Sequence, residues 1–253
     1  MMNELKSILK TGNNLKGERV YSFPIMFSAP LMIANFQGTK SVTRRGMGLD
    51  DINLEPGKWE KVGIEYTSEE GRPICHVLFS GGSAGEKRIK CPYGFPGAYL
   101  WVRENHSIYQ HLGKEMAFYQ SDYQHFGIAS NPGNKWRPSI HMPRWASRML
   151  LKVSHIDCHR IKNITDYDCR AEGVMRNNFG QFKLYNTDNG WTDSPKASFI
   201  SLWEKINGPW ENDREMFVWA IRYSIEYVTQ DVNYLWHSGL INPATAPKIW
   251  NHD

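Results

Sequence analysis

The segment MFVWAIRYSIEYV, residues 216–228, alternates without a break. Phe217, Trp219, Ile221, Tyr223, Ile225 and Tyr227 fall at every second position. Side chains alternate between faces along a strand, so this is a strand with one strongly apolar side. A helix is marked as plainly in SPKASFISLWEKING, 194–208. Ser194 suits the N-cap, Pro195 the first turn and Gly208 the stop, while Phe199, Leu202, Trp203 and Ile206 recur at helical spacing.

Other elements follow from shorter signals. FPIMFS (23–28) reads as a buried strand. SAPLMIANFQG reads as a helix over 29–37, capped by Ser28, opened by Pro30 and stopped by Gly38. Strands are expected at Tyr99–Glu104 and at 149–156. Two prolines, Pro138 and Pro143, exclude a regular helix from WRPSIHMPRWASR, 136–148. NITDYDCRAEG, 163–173, is a short helix with Thr165 as cap, Asp168 three residues on, Ile164 and Cys169 as a staple, and Gly173 as stop.

The remaining stretches read as additions. Residues 1–20 are polar and basic and are expected to form a mobile arm. Insertions are expected at about 46–90, 105–135 and 174–193, and a tail at 229–253. The first insertion is acid-rich from Asp50 to Glu70 and ends in the glycine-rich SGGSAGEKRIK, expected to be a flexible loop. Short strands, few helices and long loops point to an α+β fold on a small β-barrel, one domain over 21–228.

With 253 residues, 41 % of them hydrophobic, the chain can bury a real core. A formal charge of +4 is too mild to prove a nucleic-acid partner, so local distribution decides. No segment resembles a signal peptide or a membrane helix, so no membrane association is expected. Cys75, Cys91, Cys158 and Cys169 form no CxxC pair and are expected as reduced thiols of a cytoplasmic protein. Cys75, His76 and Cys91 match no common zinc spacing, and no metal or cofactor is expected. His106, His111 and His125 lack metal spacing and read as surface residues.

Three constellations carry candidate chemistry. QGTKSVTRRGM, 37–47, gathers Lys40, Arg44 and Arg45 around Ser41 and Thr43 where a helix ends. It is either a basic turn favoured by the helix dipole, or a pocket in which a lysine activates a threonine. Glu172 sits at the end of the 163–173 helix, where the dipole opposes a carboxylate. It is either a tolerated surface mismatch or the partner of Lys40. Residues 135–162 carry seven basic residues against Asp157, interleaved with Trp136 and Trp145. That stretch is either an ordinary basic face or a nucleic-acid surface, with Arg144, Trp145, Arg148 and Lys152 as the contact candidates. In an extended segment Arg137, Ser139 and His141 would point to one side.

The blocks FSAPLMIANFQGTKSVTRR, CPYGFPGAYLWVRE, WRPSIHMPRWASR, ITDYDCRAEGV and FISLWEKINGPW…FVWAIRY, in that order, resemble phage and prophage members of the ASCH-domain family, within the PUA-like superfamily. The resemblance implies a small β-barrel with short helices flanking a cleft for a nucleobase, nucleoside, RNA or DNA. It also implies a bacterial host cytoplasm. Small family members hydrolyse the acetyl amide of N(4)-acetylcytidine through a G-x-K-x-x-T-x-R motif and a later glutamate. Carried over, Lys40 is the proton acceptor, Thr43 the nucleophile and Glu172 the proton donor. Substrate contacts would come from Arg45, Trp101, Arg103, Arg137, Ser139 and His141, with Ser41 and Arg44 as bystanders. The alternative is a non-catalytic module that reads a modified base in RNA or DNA. A nuclease ranks below both, because the sequence shows no HxH metal cluster.

Overall fold

A computed structural model describes residues 2–111, 114–122 and 135–228. In chain order it contains α1 (Met2–Thr11), β1 (Ser22–Met26), α2 (Ala29–Phe36), β2 (Val42–Arg45), α3 (Asp50–Asn53), β3 (Glu60–Glu69), β4 (Arg72–Ser80), β5 (Glu86–Lys90) and β6 (Tyr99–Arg103). These are followed by β7 (His106–His111), β8 (Lys114–Tyr119), β9 (Met149–Arg160), α4 (Asp166–Ala171), β10 (Phe182–Lys183), β11 (Trp191–Thr192), α5 (Pro195–Asn207), α6 (Trp210–Asp213) and β12 (Phe217–Val228). The fold is mixed α+β, mostly sheet with short helices. Among the described residues the strand pairing does not close into a barrel. No described helix is long and apolar enough to cross a membrane. The tail from 229 and His125 lie outside the described residues.

The chain forms two compact units. The first holds 1–38, 97–152 and the chain from Ser224; the second holds 39–96 and 153–223. In the first, β1 runs parallel to β6, from Ser22 opposite Tyr99 to Met26 opposite Arg103. The start of β9 pairs antiparallel with β6, Leu151 opposite Leu100. Residues 2–11 are a helix, not the mobile arm expected. Leu5, Ile8 and Leu9 form an apolar stripe buried on Leu150, with Tyr99, Trp101 and Tyr227 around it. Strands β7 and β8 pair antiparallel, with Ser107 opposite Phe118. Residues 136–148 contain only single 3-10 turns, at Ser139–His141 and Arg144–Ala146.

In the second unit the expected 46–90 insertion is a built sheet, β3-β4-β5, instead of a loop. Glu70 and Gly71 both take positive φ and turn the chain between β3 and β4. Their neighbours Glu69 and Arg72 are paired across the turn, and Glu65 faces His76. The acids therefore decorate a hairpin whose β4 buries Ile74, Cys75 and Val77. The glycine-rich run is one 3-10 turn followed by β5. Residues 174–193 include the small β10–β11 pairing.

Strand β2 pairs antiparallel with β12, with Thr43 opposite Ile221 and Arg45 opposite Trp219. From Phe217 to Ile221 every residue of β12 is buried, so both of its faces are covered there. Helix α5 begins as read: Ser194 Oγ accepts the Ala197 N–H at 3.1 Å. Phe199, Leu202 and Trp203 are buried, but Ile206 is 55 % exposed, because the apolar face is used only on its first turns. All four cysteines are buried free thiols.

Candidate functional site

The end of α2 and the turn at Gly38, in the left-handed region at φ 68, lead the chain to Lys40. Lys40 pairs through its backbone with Glu172, and the Ser41 N–H donates to the Ala171 carbonyl at 2.8 Å. The residue just past α4 is thereby stitched to the residue just before β2. Thr165 fixes the other end of α4: its hydroxyl accepts the Asp168 N–H at 3.1 Å and donates to Asp168 Oδ2 at 2.9 Å.

Lys40 and Glu172 meet in the interior, at 2 % and 5 % exposure. Lys40 Nζ donates to Glu172 Oε2, to the Glu172 carbonyl and to the Val42 carbonyl, each at 2.8 Å. An ammonium has three donors, so these oxygens saturate it. Glu172 Oε1 accepts from Arg44 Nη1 at 3.0 Å. The helix dipole that disfavours a carboxylate here is outweighed by two cations. The surface-mismatch reading of Glu172 is excluded by its burial.

The network extends to residues passed over in the sequence. Arg44 Nη2 lies 3.3 Å from Asp168 Oδ2, and Asp168 Oδ1 accepts from Arg222 Nη2 at 2.6 Å. Burial opposes the Asp168 carboxylate, but Thr165, Arg44 and Arg222 together hold it below its ordinary range. Arg44 Nε donates to His159 Nε2 at 3.2 Å. That nitrogen must accept, so the imidazole proton sits on Nδ1, which faces Asp157 Oδ2 at 3.8 Å. Arg44 is no bystander. The signal that would have found it is the two-residue period: Lys40, Val42 and Arg44 share one side of an extended segment.

Lys40 and Arg44 both meet Glu172, and Arg44 and Arg222 both meet Asp168. Arginine keeps its proton, so Lys40 is the cation that can yield one. Burial lowers its pKa to about 8; Glu172 pulls the other way, and Arg45 and Arg44 add to the lowering.

Thr43 stands apart from this centre. It is 1 % exposed, but the alternation of β2 turns its side chain to the side opposite Arg44. Among the described residues its hydroxyl forms no hydrogen bond, to Lys40 or to any other group. The half-buried Arg45 shares the Thr43 side and helps to lower Tyr93, whose phenol burial nevertheless raises to about 12. Lys40 and Glu172 are therefore brought together, and Thr43 is not.

The other expected contacts belong to the first unit, and several have structural employment. Arg148 is a correction: it is buried and cannot meet a nucleic acid. It clamps Glu104 through Nε and Nη2 at 2.7 and 3.0 Å, reaches Asp122 Oδ2 at 2.8 Å, and lies 3.9 Å over the Tyr119 ring. Burial works against the guanidinium, but Glu104 and Asp122 hold its pKa above the ordinary value. Arg144 is corrected too: it is half-buried and donates to the Ile8 carbonyl and Ser22 Oγ at 3.0 and 2.6 Å, tying α1 down. Trp145 is 47 % exposed, and Lys152 is exposed within 4.0 Å of Glu226.

Trp101 packs against the α1 cluster, with the Arg103 guanidinium 5.2 Å over its ring. Arg103 also donates to the Ile140 carbonyl. Arg137 and His141 are exposed and Ser139 half-buried. A 3-10 turn over Ser139–His141 replaces the extended run that was to align the three. His106, expected at the surface, is fully buried under Arg137, whose backbone pairs with its own.

Among the described residues no group of His, Cys, Asp and Glu is arranged to hold a metal. Comparisons with family models, curated proteins and solved structures return no match to this chain.

Proposed function

We propose that this chain is an ASCH-type, PUA-like protein that hydrolyses the amide of an acylated nucleoside of the N(4)-acetylcytidine kind. The observation that carries the reading is the buried Lys40–Glu172 contact of 2.8 Å. A lysine lowered to about 8 can accept a proton near neutral pH.

In the proposed reaction the Thr43 hydroxyl gives its proton to neutral Lys40 and its oxygen attacks the acyl carbon. Collapse of the tetrahedral intermediate breaks the C–N bond. The proton that Lys40 took from Thr43 passes to Glu172 across the 2.8 Å contact, and from Glu172 to the leaving amine. Water then hydrolyses the acyl-threonine and releases the acid. Arg45 or backbone N–H groups stabilise the oxyanion. The cycle requires Thr43 to reach Lys40 when substrate is bound, since catalytic contacts tighten in the Michaelis complex.

The second reading is a module that holds a modified base of RNA or DNA without cutting it. The orientation of Thr43 away from Lys40 favours it. One experiment separates the two: incubation of the protein with N(4)-acetylcytidine and related acyl-nucleosides, followed by chromatography and calorimetry. Product formation that disappears in Thr43→Val supports hydrolysis. Binding without turnover supports the module, and neither result leaves the Lys40–Glu172 pair as structural.

A further inference from the structure

A second locus lies wholly within the first unit. A cavity of about 550 Å³ is lined by Ser107, Ile108, Lys135, Trp136, Arg137 and His141. That volume falls in the range of small-ligand pockets, roughly 300–1,000 Å³. Lys135, Arg137 and His141 bring positive and titratable groups to its wall.

Ser107 lines the cavity at 1 % exposure, and its Oγ has no hydrogen-bond partner. The adjoining His106 is fully buried, with Nε2 unpartnered, and Arg103 Nε is unpartnered too. Buried polar atoms are nearly always paired, so the orphaned Ser107 hydroxyl at the cavity wall requires an explanation. Charge supplies one. His106 is held below its ordinary pKa by burial first and then by Arg137, Arg103 and His141, against the hydrogen bond that its Nδ1 donates to the Glu104 carbonyl. Lys135, Arg137 and His141 meet at the cavity, while the nearby Glu104 carboxylate is occupied by Arg148 and Ser121.

The scaffold is fixed in advance. The His106 N–H donates to the Arg137 carbonyl at 3.1 Å, and the Arg137 N–H returns a bond to the His106 carbonyl at 2.7 Å. Asn105 Oδ1 accepts the Ser139 N–H at 2.9 Å. Positive groups, an indole wall and an orphaned hydroxyl call for a ligand with an anion, a flat ring and a hydrogen-bonding edge.

We propose that this cavity binds a nucleoside monophosphate unit, free or within a single strand, with Arg137 and Lys135 on the phosphate, Trp136 against the base and Ser107 on a polar edge. The proposal does not rest on the hydrolase reading. Its test is calorimetry of the full chain with cytidine monophosphate, cytidine, inorganic phosphate and a short single-stranded oligonucleotide at fixed salt.

Binding of the monophosphate or the oligonucleotide is expected, with cytidine and phosphate each at least about tenfold weaker. Arg137→Ala and Trp136→Ala should each weaken binding by about tenfold or more, and Lys58→Ala, at an exposed lysine outside both sites, should leave it unchanged. Preference for the oligonucleotide assigns the site to strands, and equal affinity assigns it to free nucleotides. Absence of binding by both, or binding indifferent to both cavity substitutions at unchanged melting temperature, overturns the proposal.

Discussion

Replacing Lys40 by methionine keeps most of the buried volume and deletes the ammonium. The pKa of this lysine is lowered from 10.5 to about 8, with burial the largest cause. Below pH 8 the native state must keep a charge that the unfolded chain holds more easily. At 1.36 kcal/mol per unit, that penalty is about 3 kcal/mol. As pH rises from 8 toward 10.5, the native state has lost the proton while the unfolded chain still binds it. Stability therefore rises through that window. Urea unfolding followed by tryptophan fluorescence at pH 7 and pH 10 measures this directly. Wild type should gain roughly 2–3 kcal/mol relative to Lys40→Met between the two pH values. The subtraction removes other groups that titrate in the same range. A salt bridge whose attraction exceeded its desolvation would give the opposite slope. Wild type losing stability relative to the variant as pH rises would refute the reasoning.

Arg148→Met should destabilise the protein by about 3–5 kcal/mol, because Glu104 stays buried without its cation. Equilibrium unfolding checks this, and a loss under 1 kcal/mol would mean that the clamp is dispensable. Leu5→Ala should destabilise by about 2–5 kcal/mol in the same assay if α1 is docked through Leu5, Ile8 and Leu9; an unshifted midpoint contradicts that docking. Thr165→Ala should remove the α4 cap at about 1 kcal/mol, with Thr165→Ser retaining most of it.

Elements with local chemistry were legible in the sequence. The caps Ser194 and Thr165, the stop at Gly173 and the alternation of β12 are all decided within a few residues. Helix α1 was not legible, because its three apolar residues gain their value only from Leu150, distant in sequence. The β3-β4-β5 sheet was hidden by its acids, which sit on the exposed side of a hairpin and resemble loop composition. Glu172 stands out in the sequence because the dipole argument is local, and the structure pairs it with Lys40. Its second cation, Arg44, is marked only by the two-residue period of 40–45. Arg148 and Arg144 read as a basic surface because sequence shows charge but not the partner that absorbs it. Glu104, Asp122 and the Ile8 carbonyl come from elsewhere in the chain. The same blindness hid the cavity around Ser107, where two separate segments are joined by the His106–Arg137 backbone pairing.

The most direct measurement is the release of acetate from N(4)-acetylcytidine and its acyl relatives by wild type, Lys40→Met and Thr43→Val, with each variant shown to be folded by its unfolding curve. The account predicts turnover by wild type that falls by about 100-fold or more in both variants, the scale of a lost base or nucleophile. Folded wild-type protein that turns over none of these substrates, or variants as active as wild type, would contradict it.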